Sequence, residues 1–283
     1  MGRTVPFLRR VRVTNYKSIA SCEVAFSSLL VLLGPNGAGK SNFVDALRFV
    51  ADALNTTPAD AVAKRGGLNE VLRQAPDAAD EFTIHVEFVI QAAGKPSLVE
   101  YAFAIGRDST GRRPLLVKEE HCVIRHDQDD SRSKEIRFDT RAGLILGGGG
   151  IERDRLYLPL AATQEDFSNA YHDLRDMLFH HLDIEEPAAA LHPAAAGALF
   201  DALTEASERV QVVITTQSAD LLDRDDVDPD SVRVVSMTDG ITLIGEIDEV
   251  SRRLLQDRRT TLGELMRGGQ LRPGQRMAEP IGT

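Results

Sequence analysis

Cysteine is scarce: Cys22 and Cys122 are the only two in 283 residues. Two thiols so far apart fit neither a disulfide framework nor a metal or redox spacing. Buried free thiols in a reducing cytoplasm are the expectation. No apolar run of about eighteen residues occurs, so neither a membrane span nor a membrane partner is expected. The N-terminal MGRTVPFLRRVRV has basic residues but lacks the apolar stretch and cleavage site of a secretory leader. Gly2 lacks the Ser/Thr that a myristoylation site needs at the sixth position. Excess positive charge is also lacking. A formal net charge of −10 argues against a protein that coats a nucleic acid backbone. Local basic groups remain: Arg9, Arg10, Arg12 and Lys17 near the start, and Arg252, Arg253, Arg258 and Arg259 near the end. A solvated charged face is the plainer reading of both.

What is present is ordinary globular material, 42% hydrophobic and 27% charged, long enough for one large α/β domain or two small ones. The chain is organised around VLLGPNGAGKSNFV, Val31 to Val44. Gly34-Pro-Asn-Gly-Ala-Gly-Lys40-Ser41 fits G-x-x-x-x-G-K-[ST] at every fixed position. It follows an apolar strand and opens a helix whose apolar residues recur at three- and four-residue steps. Glycines in such a loop allow a tight turn, and backbone N–H groups form a nest for phosphate oxygens. The helix N-terminus adds a positive dipole end. The expected phosphate-binding set is Gly34, Asn36, Gly37, Ala38, Gly39, Lys40, Ser41 and Asn42. Lys40 reaches the terminal phosphates, and the Ser41 hydroxyl binds Mg²⁺.

Phe7–Val13, Ile19–Phe26 and Leu29–Leu33 read as three strands leading into the loop. Asn15-Tyr16-Lys17-Ser18 between the first two is either a hairpin turn or a segment that brings Lys17 beside a nucleotide. Residues Asn55 to Asp80 read as irregular, with a short helix around Leu68–Arg73. Phe82–Ile90, Leu98–Ile105, Leu115–Arg125 and Lys134–Phe138 form a meandering antiparallel sheet. Gly147–Gly150 is a turn or linker, and Arg155–Leu160 a short strand. Gln164–Phe179 is a helix with the stripe Phe167, Tyr171, Leu174 and Leu178. His172, His180, His181 and His192 match no zinc spacing and read as surface or capping residues. A helix at Ala194–Arg209 and a strand at Val210–Thr215 follow, the strand expected parallel to the loop strand. Ser218 caps a short helix at Ala219–Leu222. A hairpin turns at Asp239-Gly240, and helices cover Val250–Gln256 and Leu262–Arg267.

Leu182-Asp-Ile-Glu185-Glu186-Pro187 offers adjacent carboxylates at a strand end. Phosphoryl transfer to water needs an acid on the metal's water shell and a group that orients the attacking water. Glu185 suits the first role and Glu186 the second. A charged surface turn is the plainer alternative.

Together, N-Y-K-S, G-P-N-G-A-G-K-S-N, I-E-E-P…L-H-P, T-T-Q-S-A-D-L-L and T-L-G-E-L (Thr261–Leu265) resemble the ATPase heads of the RecF/SMC-like branch of the ABC superfamily. More narrowly, the chain is similar to small prokaryotic AAA-type ATPases near the OLD family. The resemblance implies an α/β P-loop NTPase fold, with a mixed sheet around the loop helix and an antiparallel β-subdomain. It implies lobes at 1–181 and 182–283, binding of ATP and Mg²⁺, and ATP-dependent homodimers. It also implies work on DNA or on a nuclease or other effector protein, in DNA maintenance or anti-phage defence. Gln217 stands where the family usually has His against the terminal phosphate, and it cannot take up a proton at neutral pH. The family's Ser-Gly-rich signature segment is not found ahead of the acidic pair. Leu174 to Leu182 passes straight into Ile-Glu-Glu-Pro, which reads as an internal deletion. ATP hydrolysis is therefore expected to be slow, and a non-catalytic nucleotide-sensing or scaffold head is the alternative.

Overall fold

The computed structural model describes residues 7–76, 78–92, 94–126, 134–143, 145, 152–177 and 193–274. Glu185, Glu186, Pro187, Leu178, His180, His181, His192 and the Gly147–Gly150 run lie outside the described residues. Among the described residues the fold is α/β, with one six-stranded sheet and one four-stranded sheet that carries the phosphate loop. The chain forms two compact units, residues 1–21 with 42–179 and residues 22–41 with 180–283. No helix among the described residues is long and apolar enough to cross a membrane. Cys22 and Cys122 are both buried thiols.

The six-stranded sheet contains β1 (Phe7–Tyr16), β2 (Ile19–Ala25), β4 (Glu81–Ala92), β5 (Lys95–Gly106), β6 (Leu116–His126) and β7 (Lys134–Asp139). Their order is β2-β1-β4-β5-β6-β7, antiparallel from β1 to β7. Strand alternation decides its buried face: Phe82, Ile84, Val86, Phe88 and Ile90 of β4 all point inward. Helix α1 (Lys40–Asn55) adds Phe43, Leu47, Phe49, Val50 and Leu54 to the buried set. The Phe49 ring lies 6.2 Å from Tyr16, 5.1 Å from Phe82 and 6.1 Å from Phe103. Each such ring contributes about 1.5–3 kcal/mol by leaving water.

A polar knot ties the β1–β2 turn to α1. The Asp45 carboxylate accepts the Tyr16 hydroxyl at 2.8 Å and pairs with Lys17 Nζ at 2.7 Å and Arg65 Nε at 3.0 Å. Asn15 and Lys17 take left-handed backbone angles, φ 59° and 49°. Two anchors hold them there. Asn15 Nδ2 donates to the carbonyls of Ala79 and Glu81, and the Lys17 N–H donates to the Val71 carbonyl. Burial pushes the Asp45 carboxyl up, but hydrogen bonds from Lys17 and Tyr16 and the Arg65 charge outweigh it and hold it below its usual range.

Between α1 and β4 lie α2 (Pro58–Ala63) and α3 (Leu68–Val71). The sequence reading missed α2, although Thr57 caps it by accepting the Asp60 N–H and Pro58 sits in its first turn, where no N–H is needed. Arg155–Leu160 is not a strand. A short helix, α4 (Leu158–Ala161), begins there. The N–H groups of Tyr157 and Leu158 go to the buried Glu120 carboxylate rather than to a neighbouring strand. The Tyr101 hydroxyl donates to the same carboxylate at 3.0 Å. Burial raises the Glu120 carboxyl to about 7, opposed by these three donors. Helix α5 (Glu165–Arg175) buries Phe167, Ala170 and Leu174; Tyr171, expected in the stripe, is half-buried beside the Arg175 guanidinium.

The four-stranded sheet runs β10-β9-β3-β8, from β3 (Leu29–Leu33), β8 (Val212–Thr216), β9 (Val232–Thr238) and β10 (Ile241–Gly245). β3 is parallel to both β8 and β9, and β9 and β10 form the antiparallel hairpin expected at Asp239-Gly240. Asp239 and Gly240 have φ 51° and 77°, as a two-residue turn with the strands' twist requires. Leu29, Val31, Leu33, Ile214, Val232 and Val234 bury one face with Phe200 of α6 (Pro193–Ser207). Ser218 caps nothing: the short 3₁₀ turn Asp220–Leu222 follows Ala219, and the Ser218 N–H donates to Thr216 Oγ1. After α7 (Glu249–Gln256), the T-L-G-E-L segment starts α8 (Leu262–Arg267) with a Thr261–Glu264 capping box. A Cβ on Gly263 would lie 2.6 Å from the Ala219 carbonyl, so glycine lets α8 pack closely there.

Two outcomes test these buried charges. Asp45→Asn takes the carboxylate from Lys17 and leaves Arg65 with Asp52 alone, and is expected to cost about 2–4 kcal/mol in denaturant unfolding at pH 7. Because the folded Asp45 is lowered, that contribution is full above the unfolded carboxylate range and fades as pH falls through the folded value. Glu120 has the opposite sign. Its raised value favours the fold below the ordinary carboxylate range, and this stabilisation is lost as pH rises toward about 7. Glu120→Gln is expected to flatten the parent's fall in stability between those limits, read by urea midpoints at several pH values.

Candidate functional site

The phosphate-loop motif sits where β3 ends. Gly34 and Pro35 follow the strand, Asn36 to Gly39 make the turn, and Lys40 opens α1. Inside the loop the Ala38 N–H donates to the Pro35 carbonyl at 3.2 Å, and Gly37 and Gly39 have φ 77° and 101°. The first turn of α1 carries no acidic residue, which leaves its dipole available to an anion. Pro35, Asn36 and Gly37 are exposed, whereas Ala38 and Lys40 are buried. The Lys40 ammonium donates to the carbonyls of Gly34 at 2.8 Å and Pro35 at 3.0 Å, closing the loop on itself. Ser41 is exposed at the helix start.

The floor of the loop is the β9–β10 hairpin; the sequence reading expected the hairpin but not its place under the loop. A Cβ on Gly34 would lie 2.1 Å from the Val235 carbonyl oxygen. One on Gly39 would lie 1.9 Å from Thr242 Oγ1. Val235 follows the Leu33↔Val234 pair of β3 and β9, so the contact follows from strand register. No local signal marks Thr242, a threonine in an alternating strand. Gly37 differs, since a Cβ there meets nothing within 4 Å. A loop with open space above Gly37, glycine backbone and a buried lysine fits a polyphosphate.

Gln217 is placed by the other neighbour of β3. Leu33 pairs with Thr216, and the Gly34 N–H donates to the Thr216 carbonyl at 3.2 Å, so half-buried Gln217 leaves β8 level with the start of the loop. In the other unit, Asn42 Nδ2 donates to Ser18 Oγ at 2.7 Å, while Lys17 is held by Asp45. The N-Y-K-S turn is thus fastened to α1 residues on both sides of Phe43. The proposed metal and water residues, Glu185 and Glu186, fall outside the described residues. Several basic residues of the two suspected patches are paired with acids: Arg10 with Glu87, Arg252 with Asp230 and Glu246, Arg253 with Glu249, and Arg259 with Asp257.

Residues 7–140 match the family described as "AAA ATPase domain". Structural maintenance of chromosomes protein 4 of Caenorhabditis elegans is 24% identical over 169 residues, 56% of this chain. The chain spans about a tenth of that relative's length, the match covering 10% of it. An SMC head domain from Thermotoga maritima is 15% identical with a TM-score of 0.42, covering 86% of this chain and 99% of that one. An Smc head domain with an extended coiled coil, bound to the C-terminal domain of ScpA and derived from Pyrococcus furiosus, is 12% identical with a TM-score of 0.47. That match covers 90% of this chain and 100% of the other.

The three loop glycines are expected to separate by cause. Gly37→Ala bears only the left-handed backbone, about 1–2 kcal/mol. Gly39→Ala bears that backbone cost and must displace the hairpin floor as well, Gly34→Ala must displace the floor alone, and each is expected to lower the melting temperature more than Gly37→Ala does.

Proposed function

We propose, from the premise that the chain is an ATPase head of the RecF/SMC-like ABC type, that it binds ATP with Mg²⁺ and hydrolyses it slowly. The observation that carries this is the loop itself, with Lys40 buried within it and open space above Gly37. The N–H groups of the loop and of the first turn of α1 hold phosphate oxygens, and Lys40 exchanges its loop carbonyls for the terminal phosphates. Asn36 and Asn42 border the loop, and Lys17 lends charge when it leaves Asp45. Ser41 and Glu185 hold the metal, which when bound neutralises the phosphate charge. Glu186 orients the attacking water, and Gln217 donates a hydrogen bond to the terminal phosphate. Nucleotide binding favours a face-to-face homodimer in the cytoplasm, serving DNA maintenance or anti-phage defence through DNA or a nuclease or other effector partner. The resemblance of the chain's motifs and their order to RecF/SMC-like heads supports this reading.

Gln217 favours a second reading, because an amide at the end of β8 cannot accept a proton at neutral pH. In that reading the head binds ATP and changes its pairing without turning ATP over.

ATP turnover by the purified chain, beside Lys40→Ala and Glu186→Gln, separates the two. Turnover lost in both variants, with dimers trapped by ATP in Glu186→Gln, is the expected result. Absence of turnover in the parent, with ATP-induced change in solution mass, leaves the non-catalytic reading in its place.

A further inference from the structure

Thr242 lies 204 residues beyond Ala38 of the loop in sequence, yet its side chain is fully buried beneath it. Its Oγ1 donates to the Ala38 carbonyl at 3.1 Å, and a Cβ on Gly39 would lie 1.9 Å from the same hydroxyl. A trans peptide points its C=O and the next N–H in opposite directions. With the Ala38 carbonyl directed at the hairpin, the Gly39 N–H is directed away from it. Nothing in the loop's own sequence fixes this choice, because glycine accepts either sign of φ and a flip of the 38–39 peptide costs little locally.

We propose that Thr242 is a positioning residue for nucleotide phosphate, locking the Ala38–Gly39 peptide so that the Gly39 N–H faces the phosphate side of the loop. This rests on the ATP-binding reading of the same loop. Both branches of the threonine occupy the space that the missing Gly39 Cβ leaves, Oγ1 at 1.9 Å and the methyl at 2.7 Å from that position, but only the hydroxyl can orient the peptide. Serine therefore keeps the orienting group, and valine keeps the shape without it.

The test compares the parent with Thr242→Val and Thr242→Ser by calorimetric binding of Mg·ATP and by amide exchange of loop residues 34–41 without nucleotide. Thr242→Val is expected to bind ATP about tenfold more weakly and to exchange its loop amides about tenfold faster, the loss of one buried hydrogen bond. Thr242→Ser is expected to stay within about twofold of the parent in both. Unchanged affinity and exchange in Thr242→Val overturn the proposal. So do equal losses in valine and serine variants, which mark packing alone. If the parent binds no ATP, the nucleotide reading fails with it, whereas a parent that binds and a valine variant that binds equally well remove only the role of Thr242.

Discussion

The structure of the site depends on one close approach: the phosphate loop lies on the β9–β10 hairpin with no room for a side chain at Gly34 or Gly39. Parallel pairing of β3 with β9 brings the Val235 carbonyl under Gly34, and the hairpin turn at Asp239-Gly240 returns Thr242 under Gly39. The loop is thereby pressed into one shape before any ligand arrives. Lys40 reinforces that shape by bonding the two carbonyls at the loop's start. A site held in this way loses less conformational entropy on binding phosphate than a free glycine loop does.

Much of this was legible because the relevant signals are local. The motif Gly34–Ser41, the alternation of Phe82–Ile90, the Asp239-Gly240 turn and the short helix at Leu262–Arg267 each lie within a few residues. The parallel placement of β8 followed from the strand, helix, strand order. Other features depend on distant partners. Lys118-Glu119-Glu120 reads as a charged stretch, and only the pairing of β5 with β6 shows that Glu120 turns inward to Tyr101. That carboxylate then takes the N–H groups that a strand at Arg155–Leu160 would have needed. Ala170, not Tyr171, faces the core because the small side chain allows α5 to approach, while the ring of Tyr171 is satisfied by Arg175 at the surface. Thr242 carried no mark at all.

Asp45 gives the other unit a comparable organising centre. It gathers Tyr16 and Lys17 from one stretch and Arg65 from another onto α1, and Arg65 also lies over the Phe49 ring at 5.0 Å. The aromatic core and the polar knot share the same helix, so the N-Y-K-S turn is held by packing below and by charge above. Lys17 therefore serves structure first, and any part it takes at a nucleotide requires it to leave a carboxylate that lies 2.7 Å away.

The central claim is that this loop holds the phosphates of ATP. Calorimetric titration of Mg·ATP into the parent and into Lys40→Ala tests it most directly. The account predicts saturable one-site binding to the parent and a loss of about tenfold to a hundredfold in affinity without the ammonium. Binding of equal strength in both proteins would contradict it, because the lysine that closes the loop would then have no share in the ligand.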